Sequence, residues 1–364
     1  MKFVFTSYSS SPEFTDPAAW LKRIEGYTGI LENLAQGQHV TGIERINYEG
    51  TCGHNGVQYF FLRLRNKTAW FPRQLHRLIK KLDPDVVFIN GLLFPLQVMQ
   101  LRKRLGPRVK IILIHRSERP YTGIKKYLQR MADRYVDAYL FTSPEFGKSW
   151  VENGNIRDRK KIHAVMHGSS VFRPGDSPAA RARLSVSGSP VFLWVGRLNA
   201  NKDPLTVINA FKDYSTRVPG ARLYMIYHTE ELLGEVIKAC AATGNIIRVG
   251  KVDHSKLQDW YSAADFVISG SHYEGGGIAI CEAMSCGCIP LLTVIISFRQ
   301  MTGGGKCGLL YQPGDQQELV SVLLKTGQLD REKEKARVLQ QFREELSFEA
   351  IGRKINQVIN SLDK

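Results

Sequence analysis

Apolar positions along the chain fall into short continuous runs separated by longer stretches in which they recur every three or four residues. In the first half, runs of strand length lie at 2–8, 58–64, 86–91, 110–116, 138–143 and 162–167. Continuous apolarity, rather than strict alternation, is the mark of parallel strands buried on both faces. Between them the helical period predicts helices near 74–82, 96–105, 121–136 and 145–153. Ser143-Pro144-Glu145 reads as a helix start, with Ser at the cap, Pro in the first turn and an acid for the dipole.

A segment rich in Pro, Ser and Gly, RPGDSPAARARLSVSGSP (173–190), then reads as a domain linker with a surface excursion. After it the alternation restarts. Strands are predicted at 191–198, 222–228, 246–252, 266–271, 289–295 and 309–311. Helices are predicted near 204–217, 230–242, 255–264, 277–286, 316–325, 331–345 and 348–361. The pattern predicts an α/β chain of two doubly wound, Rossmann-like parallel-sheet domains facing across a cleft, with ligands outside the carboxyl ends of the strands. The boundaries are 1–172 and 173–346. The segment 39–56, polar and Gly-rich, reads as a loop over the cleft or a surface hairpin.

Composition narrows this picture only a little. A chain of 364 residues suits two domains, and 43% apolar with 23% charged residues excludes disordered and fibrous classes. No apolar run approaches the length of a membrane span or a signal peptide, so the chain reads as cytoplasmic. The six cysteines form no C-x2-C pair. Cys286 and Cys288, flanking Gly287, read as a redox or metal pair or, more plainly, as small buried residues at a helix end.

Charge changes the picture more. The net charge is +16, and residues 1–176 hold 28 Lys and Arg against 15 Asp and Glu. The basic clusters, 73–81, 102–110 and 125–134, read as a docking face for an anionic membrane or as a solvated surface. The last is an amphipathic helix with Ile124, Leu128, Met131 and Tyr135 as its apolar positions. No nucleic-acid module is present, and no nucleic-acid partner is expected.

Candidate chemistry concentrates in the second domain. In SHYEGGGIAICEAMSCGCIP (271–290), a buried strand runs into a turn with Gly275, Gly276 and Gly277, and a helix opens at once. Its first amides lack intrahelical partners, and glycine lets a phosphate or sugar approach them closely. Glu274 and Glu282 can accept hydrogen bonds from vicinal hydroxyls; a tight turn with a solvated Glu282 is the plainer reading. In VGRLNANKDPL (195–205), Arg197 and Lys202 stand just before a helix start, where the dipole opposes them. A diphosphate is their natural ligand, and a solvated basic loop is the alternative.

Together these stretches resemble the retaining GT-B glycosyltransferases of family 4 (glycosyl transferases group 1). The resemblance rests on VGRL-x3-K, on E-G-x-G-[IL]-x3-E-A-M-x-C-G, and on the E-x7-E spacing of Glu274 and Glu282. DPDVVFING (83–91), HGSSVFRPGD (167–176), LQDWYSAADFVISGS (257–271) and CGLLYQPGD (307–315) add to it. It is dense from 160 to 320 and thin before that.

The resemblance implies that Arg197 and Lys202 hold the diphosphate of a nucleotide-sugar donor and Glu282 its ribose. Glu274 and the amides of Gly275, Gly276, Gly277 and Ile278 would hold the sugar, and Val252 would lie near the base. His115, ending a first-domain strand, resembles the cleft histidine that contacts the sugar; a strand-end histidine satisfied by backbone is the plainer reading. His272 reads as a turn residue. A closing helix, 347–364, would pack back on the first domain. No metal and no cofactor is required, and the acceptor would be a glycan or a lipid-linked envelope precursor. That places the chain in the cytoplasm or peripherally on the inner face of a membrane. A non-catalytic sugar-nucleotide or glycan-binding scaffold and a GT-B sugar-nucleotide epimerase are the competing readings.

Three features depart from or mimic known signatures. The stretch after the first strand, TSYSSSPEFTDPAAWLKRIEG, lacks the glycine pair many members have there. Asp203 stands where the family usually has Gly. Asp83-Pro84-Asp85 has the D-x-D form of a metal site but precedes its strand, at the edge away from the ligand side.

Overall fold

The structure is a computed structural model that describes residues 1–63, 70–241 and 243–362. The strand expected over 58–64, the helix over 230–242 and the closing segment 347–364 each end on residues outside the described ones. The chain divides into two compact units, Met1–Ser169 with Phe348–Lys364, and Ser170–Ser347.

The first unit opens with β1 (Lys2–Ser7), α1 (Pro17–Arg23), α2 (Glu25–Ala35), β2 (His39–Glu44), β3 (Gly50–His54) and β4 (Val57–Phe61). It continues with α3 (Arg73–Leu82), β5 (Val86–Asn90), α4 (Pro95–Leu105), β6 (Lys110–Ile114), α5 (Gly123–Ala132), β7 (Ala138–Phe141), α6 (Pro144–Glu152) and β8 (Ile162–Ala164). Its eight strands run in the order β3-β4-β2-β1-β5-β6-β7-β8, all parallel except β3, which pairs antiparallel with β4. Phe5 on β1 and Phe88 on β5 stack at 4.2 Å in the middle of the sheet. The Ser143 hydroxyl accepts from the amide of Glu145 at 3.3 Å and starts α6 as its sequence predicts.

The second unit runs α7 (Ser177–Leu184), β9 (Val191–Gly196), α8 (Pro204–Arg217), β10 (Arg222–Tyr227), α9 (Leu233–Cys240), β11 (Ile246–Gly250), α10 (Leu257–Ala263) and β12 (Phe266–Ser269). It ends with α11 (Ile278–Ser285), β13 (Ile289–Thr293), α12 (Ile296–Met301), β14 (Leu309–Tyr311), α13 (Gln316–Lys325) and α14 (Arg331–Gln341). Its six strands are parallel, in the order β11-β10-β9-β12-β13-β14. The core between this sheet and α8 holds Phe192, Trp194, Phe211 and Tyr214, with Phe192 stacked on Phe266 at 5.1 Å. The last helix, α15 (Phe348–Leu362), belongs to the first unit and packs on α2.

Three readings of the sequence need correction. The expected linker 173–190 contains α7: Asp176 accepts from the amide of Ala179 at 2.9 Å, and Pro178 stands in the first turn. The expected loop or hairpin at 39–56 contains β2, which pairs parallel with β1, as well as the β3 arm of a hairpin. The segment before it holds two helices rather than none. Asp83 and Asp85 serve the frame at the amino edge: Asp85 accepts from the Lys2 amide at 2.8 Å, and Asp83 pairs with the Lys2 ammonium at 3.3 Å. Among the described residues no helix is long and apolar enough to cross a membrane.

Candidate functional site

The carboxyl edge of the second sheet gathers most of the predicted residues on two loops. One, 197–203, leaves β9; the other, 270–277, leaves β12. The loops are stitched together. The Asn201 amide group donates to the Tyr273 carbonyl at 3.0 Å, and the His272 amide donates to the Asn201 carbonyl at 2.8 Å. His272 Nε2 lies 3.2 Å from Asp203 Oδ2, which makes His272 a strut of this turn. A Cβ at Gly270 would stand 2.8 Å from the Asp203 carbonyl oxygen, so only glycine permits the approach.

Asp203 itself has φ +43, a conformation glycine adopts freely. Here the aspartate is held in it by capping α8, its carboxylate accepting from the Thr206 amide at 3.2 Å. Asp203 thus takes up a backbone shape open to glycine and adds a cap that glycine could not supply.

The stitching sets Lys202 against Glu274. The ammonium donates to Glu274 Oε1, which also accepts from the Ser271 hydroxyl at 2.9 Å. Arg197 is exposed, and among the described residues it takes part in no ion pair. Gly275 and Gly276 are buried beneath the turn, and Gly277 caps α11 with φ +55 and no side-chain bond. A Cβ there would meet Phe298 at 3.0 Å and the Met301 sulfur at 3.1 Å, so packing demands glycine as well as conformation. Ile278, at the mouth of the helix, is exposed. The first amides of such a helix lack intrahelical partners and carry partial positive charge.

Glu282, one turn further along α11, is buried rather than solvated. Its Oε1 accepts from His254 Nε2 at 2.7 Å and its Oε2 from the Tyr261 hydroxyl at 3.1 Å. His254 in turn lies against Phe172, ring centroids 5.1 Å apart. Glu274 and Glu282 thus keep separate partners. His254 and Tyr261 were not among the predicted site residues. Their signal was present, a histidine in the loop after β11 and a tyrosine one helix on, but neither is near Glu282 in sequence. Val252 is half-buried in that same loop. Cys286 and Cys288 are free, buried thiols; burial pushes Cys286 up to about 12, which keeps it protonated and unreactive.

The first unit has a different edge. His115 follows β6 as expected, but its ring is buried against Phe141, 4.7 Å between centroids, and beside Phe146 and Trp150. Its Nε2 donates to the Glu118 carbonyl at 2.7 Å, and Nδ1 has no partner. Burial lowers its affinity for a proton. His115 is thus held at the strand end by a backbone bond to Nε2, with its buried Nδ1 unpartnered among the described residues.

A cavity of about 400 Å³ opens nearby, at the point where the strand order reverses about β1. Ser7, Trp20, Glu44, Asn90, Arg116 and Glu118 are among its walls. Glu44 accepts from the Trp20 indole at 3.0 Å, and burial raises its carboxyl to about 7. None of the first-unit wall residues was predicted.

Comparison with known proteins places these edges in context. Residues 176–343 match the family model described as Glycosyl transferases group 1, and residues 38–169 match Glycosyltransferase Family 4. Mannosylfructose-phosphate synthase of Agrobacterium fabrum is 27% identical over 302 residues, 72% of this chain and 65% of that protein. D-inositol 3-phosphate glycosyltransferase 2 of Catenulispora acidiphila is 29% identical over 175 residues, 42% of this chain and 39% of that one. The chain thus spans less than two thirds of the length of either relative. The solved structure of Anabaena HepE in complex with UDP superposes with a TM-score of 0.72 at 14% identity, covering 99% of this chain and 100% of that one.

Proposed function

From the premise that this chain belongs to the family 4 glycosyltransferases of GT-B fold, we propose that it moves a sugar from a nucleoside-diphosphate sugar to a hydroxyl acceptor with retention of anomeric configuration. The observation that carries the reading is the stitched pair of loops. It sets Lys202 against Glu274, beside an exposed Arg197 and the start of α11.

The donor's diphosphate is held by Arg197 and Lys202, which gives Lys202 a second partner besides Glu274. Glu274 and the first amides of α11 hold the sugar. Glu282 takes the ribose hydroxyls, oriented for it by His254 and Tyr261. Val252 lies toward the base. The names of Anabaena HepE's complex and of the two curated relatives support this class of donor and of hydroxyl acceptor.

In the step itself, the bond from the anomeric carbon to the phosphate oxygen breaks and its electron pair stays on the diphosphate. The acceptor oxygen bonds to the same face of the carbon, and its proton passes to the leaving phosphate. Preorganised cations are worth most where charge develops, so Arg197, Lys202 and the α11 amides act on the leaving group. They carry the charge a divalent cation would otherwise neutralise, and we read the reaction as metal-independent. The acceptor, a glycan or lipid-linked precursor, sits in the cavity of the first unit.

Calorimetric titration with UDP, GDP, ADP and CMP, in magnesium and in EDTA, tests the site. The expected result is binding of one diphosphate, unchanged by EDTA and lost in Arg197→Ala. Undiminished sugar transfer in both Arg197→Ala and Glu274→Ala would sink the reading.

A further inference from the structure

One face of the first unit combines dense positive charge with exposed apolar side chains. Crossovers from β4 to β5, β5 to β6 and β6 to β7 all carry the chain in one direction across the sheet, so α3, α4 and α5 lie side by side on one face. Four Lys or Arg residues lie on α3, three on α4 and three on α5; none of the three helices has a carboxylate. Among the described residues only one of these cations, Arg102, is in an ion pair, with Asp137.

The apolar residues are as unusual. The fully buried positions of α5 are Gln129 and Ala132, whereas Ile124, Tyr127 and Met131, one stripe of the helix, are 80%, 66% and 38% exposed. Of the apolar positions expected on this helix, Ile124 and Met131 are exposed, whereas Leu128 and Tyr135 are half-buried. A helix of a globular domain buries its large apolar side chains, yet here Ile124 and Tyr127 stand mostly in solvent. Trp70 and Phe71, just before α3, are 67% and 61% exposed, and Leu93, just before α4, is exposed too. These fringe residues stand at the starts of three consecutive helices, along the carboxyl edge of one sheet. Large apolar and aromatic side chains fringing a basic face are the pattern of a surface that lies in a lipid interface.

We propose that the α3-α4-α5 face docks on an anionic lipid bilayer. Ile124, Tyr127, Trp70 and Phe71 enter the headgroup layer, and the cations face lipid phosphates. Charge complementarity selects this occupant. A second copy in a two-fold dimer would set these cations against their own kind. A polyanion without an apolar layer would leave the Ile124-Tyr127-Met131 stripe in water. Docking does not depend on the transfer reading. Delivery of a lipid-linked acceptor to the cavity, whose wall includes Leu93, does rest on it.

The test is sedimentation of the full chain with phosphatidylcholine vesicles, with and without phosphatidylglycerol. Anionic vesicles should take up the chain at least about tenfold better than neutral ones, and salt should weaken the uptake. Lys125→Ala with Arg130→Ala should lower it roughly 25-fold, at about fivefold per cation. Ile124→Ser with Tyr127→Ser should lower it about tenfold while nucleotide binding and the melting transition stay unchanged. Equal uptake by the two vesicle types would overturn the proposal, as would uptake indifferent to both double variants. So would a lipid-free dimer that Ile124→Ser with Tyr127→Ser splits, because a second copy would then be the occupant.

Discussion

Glu44 and Glu282 both stand near the carboxyl edge of a sheet, one in each unit; Glu282 is buried and Glu44 half-buried. Their surroundings differ. Glu282 has a partner for each oxygen, His254 and Tyr261. Glu44 has the Trp20 indole, and burial raises its carboxyl to about 7. In the second unit both Glu282 oxygens are engaged as acceptors by their neighbours. The first unit keeps its carboxyl partly protonated near neutral pH, able to donate as well as accept.

The largest expected break in this comparison is Lys202→Ala. Removing a prepositioned cation from the leaving group should lower kcat by about 10²–10³ while the melting transition stays in place. Steady-state transfer assays would check it; a loss confined to KM would mean that Lys202 serves ground-state binding only. Next comes Glu282→Ala, which should weaken nucleoside-diphosphate binding by about 10- to 100-fold by calorimetry. Glu282→Gln, which keeps an acceptor for Tyr261, should lose less.

The contrast between the edges also marks what was legible in the sequence. The second unit's candidate site is local: Glu274, the glycines and Glu282 lie within one strand-turn-helix, and Arg197 with Lys202 in another, so short motifs single these residues out and the family resemblance supplies their roles. The cavity around Glu44 draws on Ser7, Trp20, Asn90 and Arg116 from four separate parts of the chain, and no local pattern joins them. His254 and Tyr261 escaped for the same reason. Most strands were legible because they are continuous apolar runs. β2 was not, because His39, Thr41 and Glu44 interrupt it; its register with β1 supplies what its pattern lacks. α2 was hidden by Gly26 and Gly29, poor helix formers. Both glycines answer to tertiary packing: a Cβ on Gly26 would stand 2.7 Å from the Ser169 carbonyl oxygen, and one on Gly29 would strike the Phe348 ring.

That conflict gives a third prediction. Alanine is the better helix former by about 1 kcal/mol, so propensity alone says Gly29→Ala stabilises. Overpacking against Phe348 costs about 1–3 kcal/mol and should win, lowering the unfolding midpoint in denaturant. A stabilised variant would mean that the contact with α15 is loose.

The smallest effect concerns Glu44. Its carboxyl binds a proton more tightly folded than unfolded, so its contribution to stability is fully present below about pH 4.5 and is lost as pH rises through about 7. For a partly exposed group the loss should be on the order of 1 kcal/mol. Denaturation curves across that window should show it, and Glu44→Gln should flatten the slope.

The placement of α15 has a consequence for how the chain is made. The first unit is complete in outline after Ser169, yet the helix that covers α2 leaves the ribosome only after all of Ser170–Ser347. Gly29 and Leu34 on α2, which lie against Phe348 and Gly352 in the finished protein, wait uncovered while the second unit is synthesised. At about 5–20 residues per second that interval lasts roughly ten to forty seconds. A nascent first unit therefore carries an apolar strip for much of its synthesis, a natural target for a chaperone. Any truncation that removes α15 fixes the molecule in that unfinished state.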